Sequence, residues 1–140
     1  MRTPTLLVLV LTLIIASCGS TKATNSSALY NTEWELNFIS GPRIAFNGLY
    51  PDKKPQISFD QQSERVSGTS SCNGYQAAYT LEGNRISFGE PGPTTMMYCG
   101  EGEGQFLNMM KKIDGYAIEG GQLILLKGDV PMMRFAPVTP

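Results

Sequence analysis

The residues that could do chemistry are concentrated in two short stretches, each containing a cysteine. Residues 67–75 read SGTSSCNGY and place Cys72 directly before an Asn-Gly pair, and residues 94–104 read TTMMYCGEGEG and contain Cys99 followed by two glutamates. A cysteine can act as a nucleophile, as a metal ligand or as one half of a disulfide. The compartment in which the chain folds decides among these three roles.

The absence of histidine restricts the chemistry further, because the chain contains none. This excludes Ser-His-Asp and Cys-His catalysis and removes the commonest ligand of zinc and copper sites. A cysteine thiol with its usual pKa of about 8.5 needs a base or a helix N-terminus to become a nucleophile, and no base is identifiable beside Cys72. We therefore predict a protein that is not an enzyme and has no cofactor and no metal site.

Glu101 and Glu103 could form a catalytic pair only if their surroundings pushed their two pKa values apart. The glycines around them predict a flexible, exposed loop in which both carboxylates meet the same solvent. The segment also lacks the oxygen ligands of a calcium loop and the Lys-Ser/Thr ending of a phosphate-binding loop. We predict no catalytic or ion-binding role for this pair.

The first 17 residues have the layout of an export signal, with Arg2, an apolar run over residues 6–15 and two small residues. The run is too short for a transmembrane helix, which needs about 20 apolar residues. The sequence Ile-Ala-Ser-Cys at 15–18 resembles the lipobox of bacterial lipoproteins, in which the cysteine becomes a lipidated first residue. We predict a signal peptide at 1–17 and lipidation of Cys18, whose several acyl chains would anchor the protein stably in a membrane.

The predicted location is the cell envelope, and Gly19 after Cys18 favours the outer membrane facing the periplasm. Residues 18–28 read as a lipidated N-terminus and flexible tether, and residues 29–137 as one domain. Removing the signal removes Arg2 and no acid, so 10 basic residues face 12 acidic ones, which gives no electrostatic footprint for nucleic acid. The expected partners are the membrane, through the lipid, and an unknown envelope protein or small ligand.

The compartment also decides the role of the other two cysteines. With Cys18 attached to lipid, the remaining count is even, and exported domains sit where disulfides persist. We predict that Cys72 and Cys99 form a disulfide and that both cysteines are structural.

The elements that must position these cysteines are mostly strands. Residues 32–39 alternate, with Trp34, Leu36 and Phe38 on one predicted buried face, and six further stretches have the same period of two. Gly120-Gly121 can form a type I′ hairpin turn that pairs Ile118 with Leu123 and Tyr116 with Leu125. At the earlier hairpin, loops at 82–83 and at 83–84 both fit the pattern. The other stretches begin at Gln56, Ala77, Arg85, Tyr116, Leu123 and Met132.

One segment has helical rather than strand spacing. Phe106, Met110 and Ile113 recur at helical intervals between Glu103 and Ile113, and Gly115 ends the pattern. The predicted fold class is therefore α+β and mostly β, a strongly curved antiparallel sheet or partial barrel with one helix.

The order of these motifs resembles the META domain family of bacterial HslJ-like proteins. The resemblance rests on TEWEL, SGTSSCNGY, PTTMMYC, a helix, YAIEGGQLILL and a final Met-Arg-Phe strand, and it covers nearly all of the chain after residue 28. The family's usual glycine before the first cysteine is Ser71 here. The resemblance implies a compact β domain, often secreted or lipid-anchored, with a link to stress, envelope integrity or drug tolerance, and it implies no catalytic reaction.

Three methionine pairs suggest an alternative function, a periplasmic soft-metal protein involved in copper binding or tolerance. Thioethers and thiolates suit Cu(I), but adjacent residues of a strand or helix point in different directions and rarely chelate together. We expect instead that one methionine of each pair fills a core gap and that the other is partly exposed. The pairs are Met96-Met97, Met109-Met110 and Met132-Met133.

The candidate binding loop lies elsewhere, in the long segment Gly41 to Pro55. It reads GPRIAFNGLYPDKKP and mixes aromatic and basic residues in a stretch too long for a hairpin turn. The residues expected to contact a ligand or partner there are Arg43, Phe46, Tyr50 and Lys53.

Overall fold

The structure is a computed structural model, and it describes residues 26–138. The predicted signal peptide and the predicted lipidation site, Cys18, lie outside the described residues. The folded part begins earlier than predicted, because residues 26–28, assigned to the tether, already belong to a helix. Leu29 in that helix is fully buried, and its carbonyl oxygen accepts a hydrogen bond of 3.3 Å from the indole of Trp34.

Residues 26–138 form three helices and nine strands. In chain order these are α1 (Ser26–Tyr30), β1 (Trp34–Ile39), α2 (Phe46–Leu49), β2 (Gln56–Asp60), β3 (Arg65–Thr69), β4 (Gly74–Glu82), β5 (Arg85–Phe88), β6 (Gly92–Pro93), α3 (Glu101–Met110), β7 (Gly115–Glu119), β8 (Gln122–Lys127) and β9 (Val130–Pro137).

The strands form one curved antiparallel sheet in the order β5-β4-β3-β2-β1-β9-β8-β7, with β6 paired to β4. The sheet does not close, but its two ends approach each other, because the backbone N–H of Tyr116 on β7 donates to the carbonyl oxygen of Asn84 beside β5 at 2.9 Å. The predicted fold class is confirmed, and α1 and α2 are short helices in addition to the predicted one.

One apolar cluster fills the concave side of the sheet, and Phe106 of α3 is fully buried in it. Its ring centroid lies 5.4 Å from that of Tyr75 on β4 and 6.5 Å from that of Phe135 on β9. Because three strands separate β4 from β9 in the sheet, α3 must lie across the concave side. Each such buried side chain contributes about 1.5–3 kcal/mol.

The predicted hairpin at Gly120-Gly121 is confirmed. Both glycines have positive φ, +57° and +76°, as a type I′ turn requires, and the pairs Ile118 with Leu123 and Tyr116 with Leu125 form as predicted.

The earlier hairpin takes the second of its two possible registers. Glu82 pairs with Arg85, so the loop is Gly83-Asn84, and Gly83 supplies the positive φ of +61°.

The prediction for Phe38 is wrong, because a β-bulge interrupts β1. The register with β9 shifts between Leu36 and Phe38, so the side chains after the bulge change faces. Ile39 is therefore buried, and Phe38 is 40% exposed with the guanidinium of Arg134 lying 5.3 Å from its ring centroid.

The predicted helix exists, but it runs from Glu101 to Met110 rather than from Glu103 to Ile113. Phe106 and Met110 are buried as the spacing predicts, whereas the buried Ile113 lies after the helix end. None of the described helices is long and apolar enough to cross a membrane.

Candidate functional site

The turn between β3 and β4 carries the first cysteine motif, and Asn73 is its buried centre. The backbone N–H of Ser70 donates to the carbonyl oxygen of Asn73 at 2.8 Å, which closes the turn. Ser71 has a φ of +151°, a region that favours glycine, and its hydroxyl donates to the carbonyl oxygen of Lys53 at 3.1 Å. Asn73 is only 3% exposed.

The Asn73 side chain holds the segment 94–99 by a set of hydrogen bonds that we call the Asn73 clamp. Its Nδ2 donates to the carbonyl oxygen of Met97 at 2.7 Å, and its Oδ1 accepts from the backbone N–H of the same residue at 2.9 Å. Oδ1 also accepts from the hydroxyl of Thr95 at 2.8 Å. An asparagine amide has both donors and acceptors, so this one side chain can satisfy a backbone N–H and C=O together.

The same amide connects the turn to helix α3 through Glu103. Asn73 Nδ2 donates to Glu103 Oε2 at 2.8 Å, and the hydroxyl of the buried Ser70 donates to Glu103 Oε1. Hydrogen bonds to a carboxylate are about twice as strong as neutral ones. Glu103 therefore positions the start of α3 against the β3–β4 turn.

The prediction of a flexible, exposed glycine-rich loop at Glu101–Gly104 is wrong, because these residues form the first turn of α3. Glu101 is exposed, but Glu103 is half-buried and both of its oxygens accept hydrogen bonds. Gly102 is required for packing, since a Cβ atom there would lie 2.4 Å from the carbonyl oxygen of Leu49. Residues 101–104 therefore begin α3 and pack against Leu49 and Tyr50.

The structure forms the predicted disulfide between Cys72 and Cys99, whose Cα atoms are 5.9 Å apart. The bond joins the β3–β4 turn to the residue just before the N-cap of α3. The disulfide and the Asn73 clamp therefore hold the same two chain segments together.

Beside the clamp lies an open groove of about 360 Å³, and one of its walls is formed by three consecutive exposed side chains. We call residues 96–98 the Met-Tyr segment: Met96 is 92% exposed, Met97 66% and Tyr98 92%. Leu107 and Pro93 complete the apolar lining, and Glu103 is the charged residue among those that line the groove.

The methionine pairs occupy three different environments, so the expectation for them is met at only one pair. Met133 is buried beside a half-buried Met132, as expected. Met109 and Met110 are both buried, and Met96 and Met97 are both exposed, contrary to the expectation. Sequence reasoning missed the Met-Tyr segment as a surface feature because apolar residues beside a cysteine are usually assigned to a core.

The predicted binding loop divides into surface and core. Arg43 and Lys53 are exposed and Phe46 is half-buried, but Tyr50 is only 3% exposed. The Tyr50 hydroxyl donates to the carbonyl oxygen of Gly102 at 2.9 Å, and burial raises the pKa of its phenol. Tyr50 is therefore part of the packing between α2 and α3, and the structure does not bring the four predicted residues together as one surface.

The described residues offer little for catalysis or metal binding at this site. Both cysteine sulfurs are in a disulfide, and the two Glu103 oxygens already accept hydrogen bonds from the protein. Within residues 26–138, no group of three or more Cys, Asp or Glu side chains could hold a metal ion. What the arrangement offers is an exposed apolar surface on a backbone that is hydrogen-bonded to Asn73.

Comparison with known proteins supplies a family and a fold. The META domain matches residues 27–139 of the chain. No curated protein matches the chain.

Solved structures with the same fold include a protein from Burkholderia xenovorans, determined by NMR, at 26% sequence identity with a TM-score of 0.61, covering 84% of this chain and 90% of that one. A DUF4847 family protein from Bacteroides vulgatus, determined by crystallography, has 10% identity and a TM-score of 0.58, covering 79% of this chain and 95% of that one, and it shows the fold alone.

Proposed function

The chain belongs to the META domain family, and on that premise we propose that it is a lipid-anchored envelope protein whose domain binds a protein partner through the Met-Tyr segment and performs no catalysis. The observation that carries this proposal is the exposure of three consecutive large side chains, Met96, Met97 and Tyr98, on a segment that is fixed by hydrogen bonds rather than left mobile.

Fixing the segment matters because binding normally costs the entropy of ordering the contact residues. The backbone of Met97 is bound on both its N–H and C=O by Asn73, and Cys99 is attached by the disulfide. The segment is therefore already ordered before a partner arrives. An exposed apolar cluster that is held in place is typical of an interaction site.

The composition of the segment favours a polypeptide partner. Tyrosine and methionine are enriched at the cores of protein interfaces, and methionine adapts its shape to irregular apolar surfaces. Glu103 adds negative charge at the groove, which complements a cationic group on the partner. The occupant that fits is a segment of another envelope protein that presents an apolar side chain next to Lys or Arg.

The test of this binding is site-specific photo-crosslinking in intact cells. A photoreactive residue at position 96 should give a discrete, protease-sensitive adduct, whereas one at Val130, an apolar position that is 58% exposed on β9, should not. Met97→Asp should abolish the adduct from position 96, because a charge in the apolar patch opposes burial. Equal adducts at both positions, or an adduct at 96 that is lipid and not protein, would reject the proposed partner.

The lipid anchor is a separate part of the proposal and has its own test. Cys18→Ser should release the domain from membrane fractions, because lipidation supplies the attachment. Retention of the variant on membranes after a high-salt wash would refute the anchor and leave the groove proposal standing.

The family resemblance adds a physiological role in tolerance of envelope stress or drugs. Deletion of the protein should then lower growth on drugs that act on the envelope. Restoring that growth should require a copy of the domain in which Tyr98 is intact. Full restoration of growth by the Tyr98→Ala variant would show that the groove has no part in this role.

A further inference from the structure

The two sulfurs of the disulfide differ in their surroundings, and this difference carries a chemical consequence. As a whole residue, Cys72 is exposed to solvent, whereas Cys99 is half-buried next to the Asn73 clamp. Asn73 Nδ2 lies 3.3 Å from the Cys99 sulfur, in addition to its shorter contacts with Met97 and Glu103. The Cys99 sulfur also lies 3.3 Å from the carbonyl oxygen of Met97.

These contacts provide partners for Cys99 in either protonation state after the disulfide opens. As a thiolate it would lie 3.3 Å from Asn73 Nδ2, whose two N–H groups donate to Met97 and Glu103 but still present their partial positive charge to the sulfur. As a thiol it would donate to the Met97 carbonyl oxygen. In thiol–disulfide exchange the better-stabilised thiolate is the better leaving group, and the accessible sulfur is the one attacked. Exposure and the nearby Asn73 amide therefore favour the same direction of reaction.

We propose that the Cys72–Cys99 bond is an exchangeable disulfide that is opened only from the Cys72 side. A small external thiolate attacks the Cys72 sulfur, and a new disulfide forms between the two. The Cys72–Cys99 bond breaks, and its electron pair leaves on Cys99 as a thiolate. No further oxidant or reductant is needed, because the incoming thiolate becomes part of the mixed disulfide.

The fold tolerates this opening because the disulfide is not alone in holding the segment. The Asn73 clamp keeps the bonds to Met97, Thr95 and Glu103 whether or not the sulfurs are joined. Cys99 then stays beside Cys72, so that the reverse attack restores the disulfide. The site becomes one of reversible thiolation next to the Met-Tyr segment, and it does not depend on the groove having a partner.

The test uses the full chain without denaturant, treated with excess glutathione for a short time and quenched with N-ethylmaleimide. Trypsin separates the cysteines, because Cys72 lies in peptide 66–85, Cys99 in 86–111 and Cys18 in 3–22. Glutathione should be found on Cys72 at about tenfold excess over Cys99, with the maleimide on Cys99. Equal labelling, a preference for Cys99, or no adduct in the native protein would overturn the proposal.

Two controls distinguish the cause of the selectivity. The chain unfolded in urea should give nearly equal adducts on Cys72 and Cys99, because unfolding exposes both sulfurs and removes the clamp. Asn73→Asp keeps the size of the side chain but removes its donors, so the ratio should fall at least about threefold in protein whose Trp34 fluorescence is native. An unchanged ratio in that variant would show that Asn73 has no part in the exchange and would refute the mechanism.

Discussion

The side-chain amide of Asn73 binds both polar groups of the Met97 backbone, with Nδ2 donating to the carbonyl oxygen at 2.7 Å and Oδ1 accepting from the N–H at 2.9 Å. Residues 96–98 belong to no helix or strand. The buried Asn73 on the β3–β4 turn makes the backbone hydrogen bonds to Met97 that a neighbouring strand would otherwise make. The exposed Met96 and Tyr98 flank Met97, whose backbone N–H and C=O are both bound by Asn73.

Asn73→Ala should lower the free energy of unfolding by about 2–4 kcal/mol, because the backbone of Met97 and the carboxylate of Glu103 lose their buried partner. Chemical denaturation measures the loss. The matched control is Asn108→Ala, the same substitution at an exposed position of α3, which should change stability by less than about 0.5 kcal/mol. Equal effects at the two positions would mean that the clamp contributes nothing.

Substitutions at Ser71 test the backbone strain at the position where the resembled family usually has glycine. Ser71→Ala and Ser71→Gly both lose the hydrogen bond to Lys53, but only glycine adopts a φ of +151° without cost. The glycine variant should therefore be the more stable of the two by about 1 kcal/mol. Thermal or urea unfolding measures the stability of both variants. An alanine variant as stable as the glycine variant would contradict the expected strain.

The bulge in β1 can be tested with two aromatic residues of the same strand. Trp34→Ala should cost about 3–5 kcal/mol, because Trp34 is 2% exposed and its removal leaves a cavity. Phe38→Ala should cost less than about 1 kcal/mol, since its ring is exposed and contacts Arg134 over one face. Similar losses from the two variants in urea denaturation would place both side chains in the core and remove the bulge.

Asp114 should make stability depend on pH. The hydrogen bond from Lys127 and the backbone N–H of Gly128 hold the Asp114 pKa below its usual value. A carboxyl with a lowered folded pKa stabilises the protein above its unfolded pKa of about 4 and loses that effect as pH falls through the folded value. The urea midpoint should exceed that of Asp114→Asn at pH 7, and the two should converge in acid; a constant difference across that range would exclude the linkage.

Much of the fold follows from local patterns, and the exceptions have identifiable causes. Alternating apolar residues and the glycine pair at 120–121 predict the β7–β8 hairpin in its register, because both signals act over a few residues. Strand β3 is missed because RVSGT contains a single large apolar residue, Val66, and its other positions are polar or small. The bulge at Phe38 depends on pairing with β9, which is almost a hundred residues away and invisible to local spacing.

The sequence predicts less of the site, because the parts of the site meet only in three dimensions. The cysteine count and the predicted export signal are enough to predict the Cys72–Cys99 pair. Nothing in the spacing shows that Asn73 reaches Met97 and Glu103. The glycines around Glu103 suggest a loop, whereas they lie in a helix, and close packing against Leu49 and Tyr50 is what requires glycine at position 102. The sequence places Tyr50 in a binding loop for the same reason, since the prolines and lysines around it give no sign of its buried partner, the carbonyl oxygen of Gly102.

The most direct test of the account is hydrogen exchange at the backbone N–H of Met97 in the partner-free protein. If Asn73 fixes the Met-Tyr segment, this amide should exchange at least about a hundredfold more slowly than in an unfolded chain, and it should stay protected after the disulfide is reduced. Asn73→Ala should remove the protection. Exchange of the Met97 amide at the unfolded rate in the native protein would contradict the claim that the segment is ordered before it binds.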